Sequence, residues 1–198
     1  MSLKMPCDQI KILSANCQGL RDGAKRAGVL NYLSQKKPNI VCLQDTHLIS
    51  KDQNNLRCMT KCECLVNGAK TNSRGVAILL FNNFEYKLLH HGSDNYGNLL
   101  YADINTNSLS MRIINVYAPN LDTPSFFQNI NILIEENTMD HLIFCGDFNL
   151  VLNPAIDTSK YVSINNPKSR ITLLETISTY NLKDAFRHFH PCTCRYTW

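Results

Sequence analysis

Four apolar runs in this chain each stop at polar residues, and that repetition constrains the fold more than any other feature. Ile10 to Ala15 leads to Asn16, Ile40 to Gln44 leads to Asp45, Met111 to Val116 leads to Tyr117 and Asn120, and His141 to Cys145 leads to Asp147 and Asn149. Short apolar runs bounded by turn formers read as strands buried on both faces. In open α/β sheets ligands bind beyond the carboxyl ends of strands, so polar groups at four such ends converge if those strands share a direction. A turn or cap explains any one of them alone, because Asn and Asp commonly end strands. The four together point to a site, although sequence alone leaves the shared direction open.

The intervening segments predict the rest of an α/β domain. Ala24, Ala27, Leu30 and Leu33 recur on one helix face between Ala24 and Gln35, and Lys36-Lys37-Pro38 stops that helix, so the chain opens β-α-β. Val76 to Phe81, Phe84 to Leu89, Leu99 to Ile104 and Met111 to Val116 read as further strands between Asn, Gly and Asp turns. Thr123-Pro124 is an N-cap followed by proline at the first helical position, and Phe126/Phe127, Ile130 and Leu133/Ile134 follow as an apolar stripe. Asn153 to Ser169 reads as a loop, and Ile171, Leu174, Ile177 and Tyr180 as the apolar face of a last helix. No repeat or linker interrupts the chain, so the expectation is one α/β domain over 1–198, with mixed strands covered by helices.

Composition narrows the class. With 44% apolar residues in 198, the chain can bury a core, which excludes a disordered tail or a small disulfide scaffold. A formal charge of +4 permits contact with a polyanion, but no block of like charges argues for one. Polarity comes largely from 23 asparagines, which favour turns and strand ends. The longest apolar run, Val76 to Phe81, is far short of the roughly 18 residues of a membrane span, so no membrane partner is expected. Met1 to Cys7 lacks the h-region of a secretory signal, which predicts an intracellular, reducing compartment and unpaired cysteines.

Two carboxylates, two or three amides and a phenol suit a hard divalent cation and a phosphate. Mg²⁺ takes oxygen ligands and usually binds through one or two carboxylates plus waters and substrate oxygens. A phosphodiester further needs an in-line nucleophile and donors for its oxygens. Asp147 and Asn149, two apart, point to one side if the backbone stays extended, so that one takes a proton while the other orients the water. The remaining candidates have plainer readings. Cys58-x₃-Cys62-x-Cys64 and Cys192-x-Cys194 lack the spacing of zinc knuckles and read as reduced cysteines. His90-His91 and His188-x-His190 read as surface histidines, and His47 as exposed or supporting. Arg74 reaches either a phosphate or a structural ion pair.

Ser14-Ala15-Asn16, Leu43-Gln44-Asp45-Thr46-His47-Leu48, Asn115-Val116-Tyr117-Ala118-Pro119-Asn120 and Gly146-Asp147-Phe148-Asn149 stand in the order seen in the endonuclease/exonuclease/phosphatase superfamily, which the chain resembles over nearly its whole length. Ser73-Arg74-Gly75-Val76-Ala77-Ile78-Leu79, and Asn181 to Phe186 leading to Tyr196-Thr197-Trp198, look closest to the endonuclease domains of LINE-type (non-LTR) retrotransposons. The resemblance implies a two-sheet, DNase I-like α/β sandwich and hydrolysis of a phosphodiester with Mg²⁺, or Mn²⁺ in its place. Asn16 and Asp45 match its metal-side positions, Tyr117 and Asn120 its phosphate-side positions, Asp147 the water-activating position and Asn149 its supporting amide. Thr197 matches a threonine near the bound strand, and Arg74 is added as a second substrate contact. The implied partners are double-stranded DNA, nicked to leave a 3′-hydroxyl primer, and a reverse transcriptase domain in the parent polypeptide if the frame continues. The implied compartment is the nucleus.

Two departures matter. The family usually has glutamate where this chain has Asp45. Its closing Ser-x-Ile-Asp-like and Ser-Asp-His-like segments are absent, so the expectation is a chain that ends before the last strands, with impaired cleavage. The alternatives are an abasic-site repair endonuclease, a lipid or inositol phosphate phosphatase, and a non-catalytic DNA-binding relic.

Overall fold

The computed structural model describes residues 9–69, 73–158 and 165–194. They form two compact units, Met1–Ala118 with Asn137–Asp147, and Pro119–Glu136 with Phe148–Trp198.

The first unit carries two four-stranded sheets. In the first sheet, strands β1 (Ile12–Asn16), β2 (Ile40–Gln44), β3 (Glu63–Asn67) and β4 (Val76–Leu80) lie in the order β1-β2-β4-β3. Helix α1 (Gly23–Gln35) links β1 to β2, which run parallel, as a helical crossover allows. Asp22 caps α1 by accepting from the Lys25 N–H at 2.7 Å. Helix α2 (Gln53–Thr60) precedes β3. In the second sheet, β5 (Lys87–Ser93), β6 (Leu99–Asn105), β7 (Ser110–Tyr117) and β8 (His141–Asp147) lie in sequence order, with β7 and β8 parallel.

The sheets stack because β2 and β4 are apolar on both faces. Ile40, Cys42, Ile78 and Leu80 meet Leu100, Ala102, Ile104, Met111 and Ile113 of the second sheet. Val41, Leu43, Ala77 and Leu79 face the other way, onto Leu30 and Leu33 of α1 and Leu56 of α2. Fully burying one such side chain stabilises by roughly 1.5–3 kcal/mol. The result is the two-sheet α/β sandwich that the sequence predicted. One buried charge pair is satisfied within the second sheet: Arg112 donates twice to Asp103, at 2.7 Å each, with its guanidinium over the Tyr101 ring.

Several local expectations are corrected. The strand foreseen at Phe84 to Leu89 begins at Lys87 and continues through the exposed His90 and His91. Phe84 is instead a buried plug stacked on Tyr86, with ring centroids 4.8 Å apart. On α1 the small, exposed Ala24 and Ala27 leave the buried stripe to Leu30 and Leu33. Helix α2 and strand β3 were not foreseen at all.

In the second unit, helix α3 (Pro124–Glu135) begins one residue after Thr123, whose side chain makes no capping bond. It buries Phe127, Ile130 and Ile134 and packs on α5 (Pro167–Thr179). The expected loop Asn153 to Ser169 holds a short helix, α4 (Pro154–Asp157), and the start of α5, and its residues 159–164 lie outside those described. Helix α5 does not bury the predicted Ile171 and Leu174, which are exposed. It buries Thr172, Leu173 and Thr176 instead, because the threonine hydroxyls are satisfied: Thr172 donates to Lys168 O and Thr176 to Thr172 O, with the Asn131 side-chain amide of α3 within 2.8 Å of the Thr176 hydroxyl. Helix α6 (Ala185–Phe189) is capped by Asp184. Among the described residues no helix is long and apolar enough to cross a membrane.

Candidate active site

The carboxyl ends of four strands meet in the first unit. Asn16, the last residue of β1, donates from Nδ2 to Asp147 Oδ2, at the end of β8, at 2.6 Å. Tyr117 is the register partner of Asp147 across β7 and β8. One layer deeper, Gln44 at the end of β2 donates from Nε2 to Asn115 Oδ1 of β7 at 2.7 Å. The Asn115 amide in turn donates to Leu43 O and Ala77 O, each at 3.0 Å. These two carbonyls belong to residues paired directly across β2 and β4, so one amide from the second sheet fastens both strands of the first. A buried polar network of this kind is specific because every member left unpaired would cost free energy. It fixes how the two sets of strand ends face each other.

Backbone conformation shapes the same region. Gly146 has φ +141°, and a Cβ there would lie 2.0 Å from Val116 O, so only glycine lets β8 approach β7 this closely before Asp147. On the other sheet, Asp45, His47 and Arg74 all take left-handed conformations, with φ of +50°, +55° and +65°. Such strain costs of order 1–3 kcal/mol per residue and clusters where function over-determines the structure. Gly75 is held there too: its φ is +100°, and a Cβ would lie 2.7 Å from Thr46 Oγ1.

The turn after β2 orients its carboxylate through a histidine. His47 Nε2 lies 3.0 Å from Asp45 Oδ1, and the His47 carbonyl accepts from Arg21 Nε at 3.1 Å. Asn16 Oδ1 accepts from the Gln18 N–H at 2.9 Å, which leaves its amide nitrogen for Asp147. Directly after Asn16, burial pushes the Cys17 thiol up to about 12, with Lys25 opposing and Asp45 adding. That thiol is protonated and inert at neutral pH.

Asn16, Asp45 and Asp147 present only oxygen acceptors besides the one amide nitrogen, the hard donor set that a divalent cation such as Mg²⁺ takes. Among the described residues no three or more His, Cys, Asp and Glu side chains gather, so a cation here would complete its shell with water and substrate oxygens.

The other expected residues belong to the second unit or lie outside the described residues. Asn120 is exposed on the loop before α3, in the second unit. Asn149 belongs to that unit as well and has φ +50°, so the extended backbone that would align it with Asp147 is not present. Its carbonyl accepts from Asn165 Nδ2 at 2.9 Å and Asn166 Nδ2 at 3.0 Å. Thr197 lies outside the described residues. Sequence reading missed Gln44 and Asn115 as supports, although a polar residue inside an otherwise apolar strand was a visible signal.

A two-sheet sandwich whose strand ends bring an aspartate, an asparagine and a tyrosine together defines a class of phosphoesterase. The chain belongs to the Endonuclease/Exonuclease/phosphatase family, whose description it matches over residues 13–171. It is 27% identical, over 96% of its length, to the transposon TX1 uncharacterized 149 kDa protein of Xenopus laevis, of which it spans 14%. It is 26% identical, over 95% of its length, to a DNA-(apurinic or apyrimidinic site) endonuclease of Dictyostelium discoideum, of which it spans 56%. Its fold is similar to a 3′ phosphatase from Neisseria bound to a product DNA hairpin, with 25% identity and a TM-score of 0.74 over 96% of this chain and 78% of that one. An AP endonuclease from Archaeoglobus fulgidus gives the same TM-score and coverage at 20% identity. The transposon relative bears out the retroelement resemblance read from the sequence.

Proposed function

We propose that the chain is the DNA endonuclease domain of a retroelement, which nicks double-stranded DNA and leaves a 3′-hydroxyl to prime a reverse transcriptase in the same polypeptide. The observation that carries this reading is the bond between Asn16 and Asp147 at adjoining strand ends, beside Tyr117. Asp147 takes the proton of the attacking water while Asn16 holds the carboxylate in place. The water oxygen bonds to phosphorus, the bond from phosphorus to the 3′-oxygen breaks, and the departing 3′-oxygen takes a proton from solvent water to become the 3′-hydroxyl. Tyr117 contacts the phosphate, and Arg74 contacts the strand. Asn16 and Asp45 would hold a Mg²⁺ or Mn²⁺ ion, which when bound neutralises charge on the phosphate oxygens. The transposon relative, similar along 96% of this chain, supports the retroelement context, and chromosomal DNA as target would put the work in the nucleus.

The second reading, abasic-site repair, is favoured by the Dictyostelium relative. Two matched duplexes, one intact and one with a single abasic site, separate the two. A repair enzyme gains selectivity because a damaged nucleotide costs less to extrude, whereas a nickase must read deformable steps in undamaged DNA. With the chain in its natural polypeptide, the intact duplex should be cut at a few preferred steps, with ends that a polymerase extends. Cleavage confined to the abasic duplex would overturn the retroelement reading.

A further inference from the structure

The Arg74 side chain is held by a neutral partner in an unusual way. Its backbone is pinned to the turn after β2: the Arg74 carbonyl accepts from the His47 N–H at 2.7 Å, and the Gly75 carbonyl accepts from the Thr46 N–H at 3.0 Å. Its guanidinium reaches the other sheet, where Nη1 donates to Asn98 Oδ1 at 3.2 Å. Asn98 is 3% exposed and fully engaged. Its Nδ2 donates to the Tyr117 carbonyl at 2.5 Å, its carbonyl accepts from the Tyr117 N–H at 2.8 Å, and its N–H donates to Asp94 Oδ1 at 3.0 Å. Because the Tyr117 carbonyl needs a donor, the amide of Asn98 has one orientation, with its oxygen toward Arg74.

Arg74 is exposed, and among the described residues no carboxylate pairs with it. The structural ion pair that the sequence left open is therefore not what holds it. A neutral amide orients the guanidinium without cancelling its charge, where an aspartate in the same place would neutralise it. The left-handed backbone at Arg74 is a strain that a merely solvated arginine does not need.

Resting on the DNA reading above, we infer that Asn98 is a positioning residue that aims the Arg74 guanidinium at a backbone phosphate of the bound strand and fixes it relative to Tyr117. The bonds from Asn98 to Arg74 and to both backbone groups of Tyr117 carry this. The arginine anchors the strand, and the tyrosine then meets a phosphate at a set distance from that anchor. Asn98 itself touches no substrate.

The test is duplex binding by the 198-residue chain with metal chelated, measured by fluorescence anisotropy across a salt series. Neutralising one phosphate contributes about 0.9 to the slope of log affinity against log salt. Arg74→Gln should weaken binding about 10-fold and lower that slope by roughly one contact. Asn98→Ala should lower the slope in part, and the double variant should bind no more weakly than Arg74→Gln alone, because the two residues act as one unit. Asn98→Asp, which keeps the size of the side chain, should lower the slope at least as much as Arg74→Gln. That readout stands if the alanine variant fails to fold. A slope that Asn98 variants leave at the wild-type value, or losses that simply add, would overturn the inference. Unchanged binding by Arg74→Gln overturns it while sparing the endonuclease reading. Failure of the wild-type chain to bind duplex at all overturns both.

Discussion

The two compact units hold themselves together by different means. In the first, apolar side chains fill the space between two sheets and between one sheet and its helices, and buried amides such as Asn115 and Asn98 tie strand to strand. In the second, side chains grip the backbone of loops and helix ends. Arg170 donates to Val151 O and Leu152 O, Asp122 accepts from the N–H groups of Lys168 and Ser169 at the start of α5, and Arg187 binds Asp157, Ile156 O and Thr193 O. Groups at the strand ends inherit the precision of the ladders beneath them. Asn149 depends instead on two amides holding its own carbonyl. Asp147 and Asn149, two apart in sequence, are thus supported in different ways.

The sharpest way to break this contrast is at Asn115. Asn115→Leu strips the side-chain donor from the carbonyls of Leu43 and Ala77 and one of three acceptors from Gln44 Nε2, at about 1–3 kcal/mol for each carbonyl left unpaired. It should be the most destabilising of the substitutions considered, read as a fall in the urea midpoint and faster amide exchange in β2, β4 and β7. In the second unit, Arg187→Leu takes the cation from the half-buried Asp157, leaving it the Asn153 N–H, and removes a donor from three carbonyls. It should cost about 1–3 kcal/mol and open the segment around α6 to limited proteolysis.

A smaller effect belongs to Cys17. Its pKa is raised by burial from an ordinary value of 9.0 to about 12, so the unfolded chain loses the proton first. The contribution of this thiol is intact below pH 9 and falls as pH rises from 9 toward 12, by about 1.4 kcal/mol per pH unit. Denaturation midpoints at pH 8 and pH 10 should draw together in Cys17→Ala. The smallest change is expected for Asp45→Glu, whose longer arm reaches past His47 and should lower the Mg²⁺ concentration for half-maximal cleavage a few-fold. An unchanged requirement would mean that the left-handed backbone at Asp45 already compensates for the shorter side chain.

Much of the sandwich was legible because its strands announce themselves. Val76 to Leu80 and Ile40 to Leu43 are continuous apolar runs, and turn formers bound them. Strand β3 was hidden because polar Glu63 and Asn67 bound it and leave only three apolar residues between them, and α2 because Gln53, Asn54 and Asn55 show no apolar stripe. On α5 the periodicity of Ile171, Leu174 and Ile177 was real, but threonines that bond their own helix went inward. The strand-end residues were readable as a set, because polar groups recur after apolar runs. Their supports were less so. The contacts of Asn98 come from a turn between strands and from Arg74, 24 positions away, and local sequence carries no trace of such pairing.

The proposed cleavage of the phosphodiester runs through Asp147 at the strand ends of the first unit. It is tested most directly by single-turnover nicking of intact duplex in Mg²⁺, comparing the natural polypeptide with its Asp147→Asn variant and measuring duplex binding alongside. Asp147→Asn should lose at least about 10³ in rate, in line with removal of a catalytic proton acceptor, with salt-sensitive binding largely retained. Nicking by Asp147→Asn within a few-fold of the wild type would contradict it.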